Sequence, residues 1–89
     1  MMYDMVAEAL RMAKSRAKDT ILIIRTGANN TLIYIRCDDI QDIDLIYAGQ
    51  LLLIDVRAGP DIAISITDIA HLRLQNKEGW TLKTWEVAQ

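Results

Sequence analysis

Apolar and polar positions follow two different periods along this chain. Over residues 2–18, Met2, Met5, Val6, Ala9, Leu10, Ala13 and Ala17 recur at three- and four-residue spacing, with Asp4, Glu8, Arg11, Lys14, Ser15 and Lys18 on the other side. That is the stripe of an amphipathic helix. Acid near its start and base near its end complement the helix dipole, and Glu8 can pair with Arg11 at i,i+3. From Thr20 onward the period shortens to two. Strand patterns run over residues 20–26, where Ile21, Leu22, Ile23 and Ile24 are apolar on both faces, and over 31–37, where Leu32 and Tyr34 oppose Ile33 and Ile35. Further strands are predicted at 43–47 and 51–57, and a further one where Ile62, Ile64 and Ile66 alternate with Ala63, Ser65 and Thr67. Thr67-Asp68 breaks the pattern, residues 69–74 resume it, and 80–87 form a last segment. Turn residues separate these runs: Gly27-Ala28-Asn29-Asn30, Ala48-Gly49-Gln50, Ala58-Gly59-Pro60-Asp61 and Asn76-Lys77-Glu78-Gly79. No internal repeat, low-complexity tract or flexible linker stands out. The pattern predicts one mainly β domain over residues 1–89. An N-terminal helix (about 2–18) precedes a small, strongly bent antiparallel barrel (about 20–74), followed by a C-terminal extension (about 75–89).

Composition sharpens this expectation. A chain of 89 residues makes one domain, and a domain so small buries only roughly 60–65% of the surface its unfolded chain exposes. Yet 52% of the residues are hydrophobic, with 13 Ile and 10 Leu, more apolar surface than one thin barrel easily hides. Either the monomer core is dense, or copies associate and remove the excess from water; the expectation is an oligomer. The net charge is −2, but charge is segregated. Between Arg11 and Arg36 stand six basic residues against Asp19 alone, and between Cys37 and Leu72 seven Asp stand against Arg57 alone. Such a chain can fold with one basic and one acidic face. The single cysteine, Cys37, cannot form an internal disulfide and reads as a small apolar residue in or beside the core. Together with an N-terminus lacking a basic, apolar leader and the lack of a membrane-length apolar run, this leads to the expectation of a cytoplasmic protein with no membrane partner.

Two short stretches carry a family resemblance. Asp38, Ile40, Ile43 and Leu45 match the frame of the first motif of the Sm-like (Sm/LSm) family, which includes the bacterial Sm-like RNA chaperone, and Gly27 lies at the matching distance before it. Gln41 stands where that motif has Met and Asp42 where it has Asn. Ile64-Ser65-Ile66-Thr67-Asp68-Ile69 with Leu72 resembles the apolar frame of the second motif, without its Arg and Gly. The resemblance covers roughly residues 4–74. It implies an SH3-type barrel whose exposed edge strands, here around residues 61–67 and 69–74, pair between copies to close a homo-oligomeric ring. It also implies that Gln41 and Asp42 in a first inner loop, and Ser65 and Thr67 near a second, face a base of bound RNA.

The residues themselves favour binding over catalysis. His71 is the only histidine and no nucleophile or Gly-rich phosphate loop accompanies it, so an enzyme is not expected and His71 reads as a surface or interface residue. Asp38, Asp39, Asp42 and Asp44 could gather a hard cation or be solvated turn carboxylates; they lack Ca-loop spacing, and no metal or cofactor is expected. Single-stranded nucleic acid is held by stacking on flat side chains and by cations on phosphate. Tyr34, Tyr47, His71, Trp80 and Trp85 are candidates for the first role, unless they close the barrel or fill an interface. Lys14, Lys18, Arg25, Arg36, Arg57 and Arg73 are candidates for the second, although the helix lysines equally suit a solvated helix end. The expected function is thus non-catalytic binding of RNA or single-stranded DNA through Lys14, Lys18, Arg25, Arg36, Gln41, Asp42, Ser65, Thr67, His71 and Arg73. The alternative is a homo-oligomeric scaffold that binds no nucleic acid.

Overall fold

The structure, a computed structural model, describes residues 2–15, 19–46, 50–57 and 59–86. The expected helical turn at Arg16, Ala17 and Lys18, the connection at Tyr47, Ala48 and Gly49, Ala58 of the second turn and Val87 lie outside the described residues. Helix α1 (Met2–Ser15) is followed by β1 (Thr20–Thr26), β2 (Leu32–Arg36), a 3₁₀ turn at Cys37–Asp39, β3 (Ile40–Ile46), β4 (Leu51–Val56), β5 (Ile62–Ser65), a second 3₁₀ turn at Ile66–Asp68, β6 (Ile69–Asn76) and β7 (Thr81–Glu86). The helix is not long or apolar enough to cross a membrane.

The strands form two antiparallel sheets, one in the order β2-β1-β6-β7 and the other β3-β4-β5. They do not close into the strongly bent barrel predicted from the strand spacing. The 3₁₀ turns are the physical reason. Each anchors one buried side chain, Cys37 or Ile66, and caps itself through the N–H of Ile40 or Ile69 bonding back to that residue's carbonyl. There the chain leaves one sheet and enters the other, instead of bending within a single sheet.

The two sheets are built from a repeat that the amino-acid pattern had hidden. Hairpin β1–β2, its 3₁₀ turn and β3 correspond to hairpin β4–β5, its 3₁₀ turn and β6. Each unit lends its third strand to the other's hairpin: β3 pairs with β4, and β6 pairs with β1. The irregularities recur as well. The ladder skips Gln41 between Ile40↔Val56 and Asp42↔Asp55, and it skips Ala70 between Thr26↔Ile69 and Arg25↔His71. In sequence, Ile33, Ile35, Asp39, Ile40 and Leu45 recur 29 residues later as Ile62, Ile64, Asp68, Ile69 and Leu74. The two stretches that carry the Sm-like frame therefore overlap at equivalent positions, 38–43 in one unit and 67–72 in the other.

The core lies between the sheets. Leu22, Ile24, Ile35, Cys37, Leu52, Ile54, Ile64, Ile66, Ile69, Leu72 and Leu74 are buried, and α1 adds Val6, Ala9, Leu10 and Ala13 from one stripe. The two alanines let the helix approach β1, β6, β7 and both 3₁₀ turns closely. Two expectations about the later strands change. Within the expected C-terminal extension, residues 81–86 belong to the sheet, because β7 pairs along β6 and sends Trp85 into the core, 5% exposed. And β6 has β1 on one side and β7 on the other, so residues 69–74 offer no free edge to a neighbouring copy; β5 does, pairing among the described residues only with β4.

Candidate nucleic-acid interface

Strand register decides which side chains share a surface, because residues directly opposite each other point to the same side of a sheet. In the four-stranded sheet, Leu22, Ile24, Ile35, Leu72 and Leu74 point inward. The outward rows are Leu32–Arg25–His71–Glu86 and Tyr34–Ile23–Arg73–Thr84, and Arg36 stands opposite Ile21. Three arginines, one histidine and a tyrosine thus occupy one face. Tyr34 is 61% exposed and Leu32 46%. Beneath them Ile23 is only 2% exposed although it points away from the core, so the overlying side chains shield it. A shallow depression of about 240 Å³ is lined by Ile23, Arg25, Leu32, His71, Arg73 and Glu86.

The charges on this face are lightly held. Nη1 of Arg25 donates to Oδ1 of Asn30 at 3.3 Å, and Nη2 of Arg36 reaches Oδ2 of Asp38 at 3.2 Å at an exposed site. Nε2 of His71 lies 3.3 Å from Oε1 of Glu86, with the histidine side chain mostly covered. Nε of Arg73 is buried without a hydrogen-bond partner among the described residues. A second groove, about 430 Å³, runs from Tyr34 and Arg36 past Asp39 to Val56, Gly59, Pro60 and Ile62, between the edge strands β2 and β5.

The three-stranded sheet presents the opposite charge. Its outward rows contain Asp42↔Asp55, Asp44↔Leu53↔Ala63 and Ile46↔Leu51↔Ser65. The Asp55 carboxyl is held above the usual aspartate range, first by a hydrogen bond with Asp61 and then by desolvation and the charges of Asp61 and Asp42. The basic and acidic faces that charge segregation led us to expect are the outer faces of the two sheets.

The candidate residues fall into three groups. Arg25, Arg36, His71 and Arg73 come together on the four-stranded face. Lys14 belongs elsewhere: its Nζ lies 3.8 Å from Oδ1 of Asp42, on the acidic side, and Lys18 is outside the described residues. Gln41 and Asp42 lie at the start of β3. Ser65, whose hydroxyl is 2.9 Å from that of Thr67, lies level with the far end of β3 on the opposite edge of the sheet. Four residues of strand, about 13 Å, and two strand spacings separate them, so a single chain does not gather these four around one base. Arg57 is exposed at a turn, Trp80 is 73% exposed and Trp85 is buried. Tyr34 is among the stacking candidates that the sequence offers; Leu32 and Ile23, which share its face, are not. The alternation of residues 31–37 already placed Leu32 and Tyr34 together, but only the pairing of β1 with both β2 and β6 sets them beside Arg25 and Arg73. Among the described residues no three His, Cys, Asp or Glu side chains cluster as metal ligands would.

Comparison of the chain with protein-family models, with curated proteins and with solved structures returned no match.

Proposed function

We propose that this protein binds single-stranded nucleic acid, without catalysis, across the outer face of the β2-β1-β6-β7 sheet. The observation that carries this reading is the placement of Arg25, Arg36 and Arg73 around the exposed ring of Tyr34, while the aspartates of β3, β4 and the turn before β5 collect on the other sheet. An exposed aromatic on a flat sheet offers a stacking platform to any base, and arginines around it meet the phosphates. Arg73 fits the role, since it stands in the same outward row as Tyr34, across β1. The Sm-like resemblance points to the same class of ligand, though through other residues.

Salt titration tests the proposal. With a short single-stranded RNA or DNA oligonucleotide, three phosphate contacts give a slope of about −2 in log K against log salt. Tyr34→Ala weakens binding by about 1–3 kcal/mol, the worth of one stacked base, and Arg36→Glu with Arg73→Glu lowers the slope. Binding that persists unchanged in these variants, or that shows no salt dependence, rejects the face as the site.

The reading as a protein-interaction module is favoured by a different observation, the open edge of β3.

A further inference from the structure

The internal repeat makes the edge of β3 unlike the other edges of the molecule. Strands β2 and β5 are equivalent, and neither has an outer neighbour among the described residues. Strands β3 and β6 are also equivalent, but among the described residues β6 carries β7 and β3 carries nothing. Side-chain burial follows that difference. The equivalent residues Ile33 to Cys37 and Ile62 to Ile66 match step for step. From Gln41 to Leu45, each residue is more exposed than its counterpart from Ala70 to Leu74. Leu72 and Leu74 are fully buried, with Trp85 of β7 opposite Leu72, while Ile43 and Leu45 are only partly covered.

Space is left where the missing strand would sit. On one flank of α1, Trp85 fills the gap beside β6, and Nζ of Lys83 both reaches Oε1 of Glu8 at 2.9 Å and stands 5.3 Å from the Trp85 ring centre. On the other flank, a groove of about 340 Å³ lies open between the helix and β3, lined by Ala7, Leu10, Arg11, Lys14, Ile43, Asp44 and Leu45. At the bare edge, the N–H of Ile43 donates to the carboxylate of Asp42 at 2.9 Å, a side chain standing where a strand carbonyl would be.

We infer that β3 accepts an extended segment of a partner protein by strand addition, in the place that β7 occupies on β6, and that this segment is charge-swapped relative to β7. The β6–β7 register is Leu74↔Lys83, Arg73↔Thr84, Leu72↔Trp85 and His71↔Glu86. Carried over 29 residues, the partner's residues would oppose Leu45, Asp44, Ile43 and Asp42 in that order. Opposite Ile43, an aromatic ring enters the groove. Opposite Asp44 and Asp42, basic residues meet the acidic face, where β7 itself sets Glu86 against His71. Opposite Leu45, an acidic residue faces Arg11 and Lys14, where β7 sets Lys83 against Glu8. Backbone bonds supply the affinity and these alternate side chains the selectivity. A second copy of this chain does not fit. Antiparallel β3 strands would stack aspartates on aspartates, and a swapped β7 would put Glu86 against Asp42 and Lys83 against the helix cations.

The test uses two labelled peptides, Thr-Leu-Glu-Lys-Trp-Lys and the β7 sequence Thr-Leu-Lys-Thr-Trp-Glu, titrated against the full chain by fluorescence anisotropy. The charge-swapped peptide should bind at least tenfold more tightly, and Asp42→Lys with Asp44→Lys should reverse the preference. Amide exchange on the unaltered protein provides a check that does not depend on the variant folding: the N–H groups of Ile43 and Leu45 should be protected by the peptide. Absence of binding, equal binding of both peptides, or protection located away from β3 overturns the proposal. Self-association of the protein alone that protects the same amides overturns it in favour of a second copy.

Discussion

Asp39 and Asp68 make the same backbone bond in the two halves of the molecule. The carbonyl of Asp68 accepts from the N–H of Gly27 at 2.7 Å, and the carbonyl of Asp39 accepts from the N–H of Arg57 at 2.8 Å. Each 3₁₀ turn is thus tied to the hairpin turn of the opposite unit, and the two units lock one another reciprocally. Asp68 adds a side-chain bond, Oδ1 accepting from the N–H of Ala28 at 3.0 Å. This reciprocity explains why the sheets stay separate and why the third strand of each unit belongs to the other's sheet.

The tryptophans should behave oppositely. Trp85 closes the core between β7 and the helix, 5% exposed, whereas Trp80 is 73% exposed. Trp85→Ala should cost about 3–5 kcal/mol, a large part of the stability of a domain this size. Trp80→Ala should stay within about 0.5 kcal/mol. Denaturant unfolding monitored by circular dichroism measures both.

Cys37 should be silent in the native state. It is 1% exposed, and burial, helped by the charge of Asp38, pushes its thiol up to about 11. Because the thiolate is the reactive form, modification by a thiol reagent near pH 8 should run roughly two hundredfold slower than in the unfolded chain, whose thiol titrates at about 8.5. The same shift has a stability consequence. A raised pKa means that the folded state keeps the proton longer, so stability holds below the unfolded value and declines as pH rises from there toward the folded one. Cys37→Ala should flatten that alkaline decline in denaturation measured from pH 8 to 11.

Acid should relieve the Asp42, Asp55 and Asp61 cluster. The folded pKa of Asp55 is raised, chiefly by its hydrogen bond with Asp61, so protonation favours the folded state. Its contribution to stability therefore grows as pH falls through the raised folded value toward the ordinary aspartate pKa. Asp55→Asn should raise the melting temperature at neutral pH and reduce the gain seen on mild acidification. A variant with an unchanged pH profile would show that the carboxylates do not interact in solution.

The sequence determined the local elements and their inward faces. Helical spacing found α1, and its Val6-Ala9-Leu10-Ala13 stripe is buried. Period-two alternation set Ile64 and Ile66 on one face of their strand and Tyr34 opposite Ile35, and the structure buries the three isoleucines and exposes Tyr34; the lone cysteine, expected in or beside the core, is buried. Charge segregation anticipated opposite faces. These features were legible because each depends on neighbours a few residues away. Strand partners were not legible, because pairing joins segments far apart in sequence and the two units share an apolar frame more than they share residues. Tertiary structure alone decided that β3 and β6 exchange hairpins, that β6 is flanked on both sides while β3 keeps an open edge, and that Tyr34 and Arg73, on strands separated by β1, share one surface. Backbone groups satisfy themselves wherever the most apolar surface can be buried at once, and that is a property of the assembled sheets rather than of any single strand.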